Sequence, residues 1–184
     1  MKLARLARLV TACGSTGTVR SQPFDGEPIS ITTFVAIVRD YVHVELNFAR
    51  LNEADFRARI QIIHSASQLS GWISPWYTDA GGRECNQLDS AATALPFVDS
   101  DGSPVPAPPS RSEKVKQIAH SMRTGQLAAV LVAAYKPCGR NVVLVIDGNH
   151  RMRATLINKG ALHLVALILH RPHDPSILSD LKVV

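Results

Sequence analysis

The chain reads as an α/β (α+β) protein, a small mixed sheet flanked by helices and preceded by an N-terminal helical extension. Three observations predict this. Apolar runs of strand length stand at 127–134, 142–146 and 164–169. Stretches with apolar residues at helical spacing precede and separate them, ending at Gly125 and Gly160. Strands alternating with helices imply a sheet covered by helices. A chain of 184 residues, 46% hydrophobic, can bury one core, or one core with a smaller appendage.

Residues 1–28 mix Leu3-Ala4-Arg5-Leu6-Ala7-Arg8 with Gly, Ser, Thr and Pro, the composition of a flexible basic tail. From Ser30 to Leu46, Phe34, Ile37, Val38, Tyr41 and Val42 recur at helical spacing, with Thr32 or Thr33 as cap. After Asn52 a second stretch sets Phe56, Ile60 and Ile63 on one face and Arg57, Arg59 and Gln61 on the other, so the pair is expected to form a helical hairpin. Trp72, Trp76 and Tyr77 follow in a Gly- and Pro-punctuated loop ending at Gly81-Gly82. Residues 29–92 thus make the extension and 93–184 the core.

Within the core, Thr93–Asp99 is a candidate first strand, and Pro104, Pro106, Pro108 and Pro109 mark 99–110 as an irregular connection. Ser112 to Thr124 is a helix capped by Ser112, lined by Val115, Ile118, Ala119 and Met122 and stopped by Gly125. A strand from Leu127 to Ala134, a turn at Pro137–Arg140 and a strand from Asn141 to Ile146 come next. A helix from Asn149 to Lys159 leads to a last strand, Leu164 to Leu169, closed by Pro172.

Twenty Lys and Arg against fifteen Asp and Glu give a net charge of +5 and a pI near 9.4, which favours polyanionic partners such as nucleotides or DNA. Cys13, Cys85 and Cys138 are far apart and form no CxxC pair, which argues against a zinc knuckle and a disulfide framework and for a reducing, cytoplasmic compartment. Val10-Thr11-Ala12-Cys13 has the form of a lipoprotein box, but Arg5 and Arg8 interrupt the apolar stretch a signal peptide needs. No segment approaches the roughly 20 apolar residues that span a bilayer, so no membrane partner is expected. His163, His170 and His173 fit no compact ligand set, so no metal held by histidine is expected.

The chemistry concentrates in Val145-Ile146-Asp147-Gly148-Asn149-His150-Arg151-Met152-Arg153-Ala154. A strand that turns at Asp147-Gly148 into a helix at Asn149 gathers unsatisfied backbone N–H groups at one point, where the helix dipole favours an anion. Gly148 permits close approach or a positive φ. Arg151 and Arg153 oppose the dipole unless an anion sits there, and both suit phosphate oxygens. His150 is a candidate phosphate donor or general acid/base. Asp147 can orient a magnesium-bound water, accept a proton, or only cap the helix.

With this motif in place, the segment from Thr93 to His170 resembles the ParB/sulfiredoxin superfamily. The matching features are the helix Lys114–Thr124, Gly125, the strands Ala128–Val132 and Val142–Ile146, the Asp147-Gly148-Asn149-His150-Arg151 turn opening a helix, Gly160, and the strand Leu164–Leu169. The resemblance implies a nucleotide ligand, ATP or CTP, with Mg2+ as its companion. Gly148, Asn149, His150, Arg151 and Arg153 would hold the phosphates, and Asp147, His150 and Arg151 would carry catalysis. Asn149 stands where sulfiredoxins have a cysteine, which argues against sulfinic-acid reduction. The residues after the last expected strand, from His170 to Val184, are too few for the DNA-reading module of partition proteins, so a centromere-reading role is not expected.

Two activities of the superfamily remain open. In layout the chain is similar to stand-alone members of conjugative plasmids, the fertility-inhibition and oncogenic-suppression proteins. That likeness implies ATPase and DNase activity directed against DNA transfer, with DNA and a transfer protein as partners. The free-serine kinases share Asp147, Gly148, His150 and Arg151 and use a separate glutamate as base, for which Glu45 and Glu53 are the candidates here. A nucleotide-binding inhibitor without catalysis is a third reading. Lys114, Lys116 and His120 are candidate contacts to nucleotide or DNA, and Arg171 and His173 candidate lip residues of the same pocket. Trp72, Trp76 and Tyr77 are either base-stacking groups or, as their bulk favours, core fillers.

Overall fold

The computed structural model describes residues 27–41, 51, 56–86, 88–124, 130–137, 141–158 and 164–171. Along them run β1 (Glu27–Ile29), α1 (Ile31–Tyr41), β2 (Arg57–Ile63), β3 (Trp72–Thr78), β4 (Glu84–Cys85), β5 (Thr93–Pro96), α2 (Pro109–Arg123), β6 (Val130–Pro137), β7 (Val143–Asp147), α3 (Asn149–Ile157) and β8 (Leu164–Arg171). The expected α/β architecture is present. The strands form one mixed sheet in the order β1-β2-β8-β6-β7-β3-β4, with β5 along the other side of β3.

The N-terminal half departs from the expected helical hairpin. Its first member exists: α1 is a helix that buries Phe34 and Val38 completely. Ser30, not a threonine, caps it, accepting a hydrogen bond from the Thr33 N–H at 3.0 Å. Residues 42–46 of that expected helix lie outside the described residues. The second member is a strand. Phe56, Ala58 and Ile60 turn to one face while Arg57 and Arg59 turn to the other, and all seven residues of β2 pair antiparallel with β8, from Arg57↔His170 to Ile63↔Leu164.

The Trp-rich loop is also a strand. Trp72, Ser74 and Trp76 alternate onto one face of β3, all buried. Pro75 is tolerated because the pairing with β5 shifts register between Ile73 and Tyr77. Trp72, wholly buried, is core, as its bulk favours.

The core half follows expectation more closely. Helix α2 begins earlier than its expected Ser112 cap, with Pro109 at the first helical position, where proline loses no hydrogen bond. The connection before it is irregular and turns on Asp99, whose carboxylate accepts from the N–H groups of Asp101 and Ser103 at 2.9 and 2.8 Å. Helix α1 covers one sheet face, packing Phe34, Ile37 and Val38 against Phe56, Ile60, Leu131, Tyr135 and Leu169. Residues of α3 close the other, where Met152 and Leu156 meet Trp72, Val132, Val145 and Ile168. Small residues, Ala119 of α2 and Ala154 of α3, let these two helices join over Trp76. Among the described residues no helix is long and apolar enough to cross a membrane.

Strand directions decide what can meet at the motif. β6 is antiparallel to β7 and parallel to β8, pairing Pro137 with Arg171. Arg171 therefore lies at the end of the sheet where β7 begins, opposite Asp147, and is not a lip residue of the motif; His173 lies outside the described residues. β5 pairs with β3 at both Ile73 and Tyr77, so it occupies one side of β3 throughout. β7 pairs with β3 at Trp72–Ile73 and β4 at Tyr77–Thr78, so both lie on the other side. β4 thus takes up the place in the sheet that β7 vacates after Asp147, which brings Glu84 to the motif.

Candidate functional site

Gly148 is the hinge between β7 and α3. Its φ is +93°, and a Cβ there would stand 2.6 Å from Val132 Cγ1 and 3.1 Å from the Leu131 carbonyl oxygen. Both the left-handed backbone and the tight approach to β6 call for glycine. The first intrahelical bond runs from the Met152 N–H to Gly148 O at 2.8 Å, and no side chain caps the helix. The N–H groups of Asn149, His150 and Arg151 are therefore the first-turn donors that lack an intrahelical partner.

The motif side chains separate into two sets. Arg151 stays at the surface and pairs with Asp147 at 3.0 Å, both partly exposed. His150 is half-buried, its ring edge-on to Trp76 with centroids 4.8 Å apart. Burial holds the His150 pKa below the ordinary imidazole value; the charges of Lys114 and Arg111 lower it further, against the opposing pull of Asp147 and Glu84. At neutral pH the ring is the uncharged form, able to take up a proton as an anion approaches.

Arg153 and Asn149 belong to the fold instead. Arg153 is 1% exposed. It donates to the carbonyl oxygens of Val105, Leu95 and Pro96 and to Ser74 Oγ, and its guanidinium lies 4.5 Å from the Phe97 ring centre and 5.2 Å from that of Trp76. Burial lowers its pKa to about 10, which leaves it charged at neutral pH. The expected phosphate contact from Arg153 is thus replaced by a strut tying α3 to β5 and its following loop. Asn149 is 8% exposed; its Nδ2 donates back to Val145 O at 3.2 Å and its Oδ1 is buried without a hydrogen-bond partner.

Helix α2 supplies the other wall. Lys114 lowers the His150 pKa through its charge, and Lys114, Lys116 and His120 all sit on exposed positions of that helix. Two contributors had no signal of their own in the sequence. Arg111, three residues before Lys114 and so on the same helical face, holds Glu84 in a fork: Nη2 donates to Oε1 at 2.7 Å and Nε to the two carboxylate oxygens at 3.1 and 3.2 Å. Ser110 Oγ donates to the other oxygen, Oε2. These bonds, led by Arg111, hold the Glu84 carboxyl below the usual range despite its partial burial. The i,i+3 spacing of Arg111 and Lys114 is the one clue that points to the pair. Glu45 and Glu53, the base candidates, lie outside the described residues.

Among the described residues no three His, Cys, Asp or Glu side chains gather as a metal cage. An open cavity of about 290 Å³ lies elsewhere, between β1 and β2 and lined by Pro28, Ile29, Phe56 and Arg57 among others. It contains none of the motif residues, and the chemistry at α3 outweighs its size. Comparison with protein-family models, with curated proteins and with solved structures finds no match to this chain.

Proposed function

We propose that the turn from Asp147 to Arg151 binds the phosphates of a nucleotide and that the protein is an ATP-hydrolysing enzyme acting on DNA, a stand-alone member of the ParB/sulfiredoxin superfamily. One observation carries the reading: the first-turn N–H groups of α3, which lack an intrahelical partner, share the turn with His150 and Arg151, and the charge of Lys114 on α2 reaches His150. Aligned donors and cations of this kind stabilise charge on a phosphoryl group as it transfers. His150, neutral and half-buried, would take up the proton released by the attacking water, and Arg151 would leave Asp147 for the phosphate. Asp147, freed, would hold a water of the Mg2+ that travels with ATP; among the described residues too few carboxylates gather to bind that ion alone. The net charge of +5 and the exposed Lys116, His120 and Arg123 of α2 suit a DNA backbone. A role in blocking DNA transfer through a partner protein extends this proposal.

The test is purified protein with ATP and plasmid DNA. Phosphate release and nicking are expected, both lost in Arg151→Ala; their absence in the unaltered protein sinks the proposal. A second reading, ATP- or ADP-dependent phosphorylation of a small hydroxy compound such as a free amino acid, gains from Glu84, a carboxylate near enough to act on His150 through its charge. Nucleotide-dependent phosphorylation of free serine with intact DNA would favour it over the first.

A further inference from the structure

Arg111 lies outside the motif, yet it faces the same indole ring as His150. Its guanidinium is 5.8 Å from the Trp76 ring centre, on which the His150 ring also rests at 4.8 Å. The fork that Arg111 presents to Glu84 uses parallel N–H donors, the arrangement in which a guanidinium takes a phosphate as readily as a carboxylate. The pair is reachable from solvent. Its side chains are 43% and 25% exposed, so water screens it, and Glu84 sits in a strand of only two residues paired to Tyr77 and Thr78. Exchange of one anion for another leaves the guanidinium satisfied and releases the carboxylate toward solvent.

We propose that Arg111 is a second phosphate subsite beside the start of α3, and that Glu84 is the internal carboxylate a ligand must displace from it. The ligand class is then a diphosphate or longer chain. A single phosphate on the first-turn N–H groups of α3 has no need of Arg111, whereas a phosphate chain spans both groups that flank Trp76. The inference rests on the nucleotide reading above and deepens it: Glu84 selects for polyphosphate by closing the second subsite to weaker anions.

Calorimetric titration of the full chain with pyrophosphate and with inorganic phosphate tests this. Unaltered protein is expected to prefer pyrophosphate. Glu84→Gln is expected to tighten pyrophosphate about tenfold, the scale of one charged contact, and inorganic phosphate much less. Arg111→Gln is expected to abolish the preference, and adding Glu84→Gln to it should change nothing further. An equal gain from Glu84→Gln in both backgrounds would mean that the carboxylate acts only through the overall field, and overturns the subsite. So does an unchanged pyrophosphate affinity in a Glu84→Gln protein that melts like the original. Should that variant fail to fold, Ser110→Ala, which loosens the carboxylate alone, is expected to give a smaller gain in the same direction, and no gain overturns the idea. Binding that needs Arg151 but ignores Glu84 and Arg111 removes this inference only. Absence of binding by either anion to the unaltered protein removes the nucleotide reading with it.

Discussion

Arg151 and Arg153 stand two residues apart on α3 and meet opposite surroundings. The Arg151 side chain is 31% exposed and has one partner, Asp147, across the turn. Arg153 is enclosed, with three carbonyl oxygens and a serine hydroxyl as acceptors and two aromatic rings against its faces. Burying a charge is unfavourable unless its donors are met, and here neutral acceptors meet both terminal nitrogens, leaving Nε alone without a partner. The difference teaches that a basic residue in a phosphate-type motif is no guide to its role; the surroundings decide. One arginine holds the fold that places the turn, and the other stays at the surface, paired with Asp147.

The largest effect expected from breaking this division comes from Arg153→Met. It takes the Arg153 donor from the carbonyls of Val105 and Pro96 and leaves Leu95 with Ser74 Oγ as its side-chain donor, at a cost of about 4 kcal/mol, the sum of about 1–3 kcal/mol for each buried acceptor left unmet. Urea unfolding at pH 7 measures it. A loss below about 1 kcal/mol would show that Arg153 is not a strut.

Next in size is Gly148→Ala. It forces a left-handed backbone on alanine and drives a Cβ to 2.6 Å from Val132 Cγ1, together about 3 kcal/mol. Gly82→Ala is the control, because its φ is also positive, +75°, with nothing within 4 Å of a Cβ; about 1 kcal/mol is expected. Equal losses at the two positions would remove the close approach to β6 as a reason for glycine at the turn.

The strand–turn–helix at 143–157 was legible because its signals are local. A continuous apolar run, a glycine and a helical period lie side by side there, and no distant contact competes with them. The stretch 56–63 was not. Phe56, Ile60 and Ile63 fit a period of 3.6, while Phe56, Ala58 and Ile60 fit a period of 2, and β8, a hundred residues away, decides between them. At Trp72–Thr78 the proline hid a strand that tolerates it at a register shift. The site divided in the same way. That His150 and Arg151 stand in the turn follows from turn chemistry, and that Lys114 stands on α2 from its helical pattern. Glu84 reaches Arg111 across 27 residues, only because β4 takes the place that β7 leaves. The burial of Arg153 depends on the loop after β5, which no pattern around the motif contains.

The far end of the sheet sharpens the comparison by its pH response. His170 on β8 has a pKa lowered to about 4, first by burial and then by the charges of Lys136 and Arg59. The unfolded chain, near 6.5, takes up this proton first as pH falls. The contribution of His170 is thus complete above about pH 6.5 and is lost on the way down to about pH 4. Its partial exposure limits the effect to about 1 kcal/mol. Urea midpoints of the unaltered protein and His170→Gln, measured from pH 7 to pH 4, are expected to converge as pH falls. Parallel curves would mean that His170 titrates as in the unfolded chain. His150, whose lowering burial starts and Asp147 and Glu84 oppose, should give the weaker slope of the two.

The smallest stability effect belongs to Arg151→Ala, and it bears most directly on the division between the two arginines. The substitution removes a partly exposed ion pair of the kind worth about 0–1 kcal/mol. It also removes a cation from the positive end of α3, which returns a similar amount. The two nearly cancel, so unfolding is expected to shift by less than about 0.5 kcal/mol. The same change takes a charged donor from the proposed phosphate site, where about a tenfold loss of pyrophosphate affinity is expected. Stability kept and affinity lost is the reverse of what Arg153→Met does to the fold. Should Arg151→Ala instead cost 1.5 kcal/mol or more, on the scale of about 1 kcal/mol for an ordinary pair, the ion pair with Asp147 would be holding the turn itself. Both arginines would then serve the fold, and the anion would have to be held by backbone N–H groups, His150 and the cations of α2.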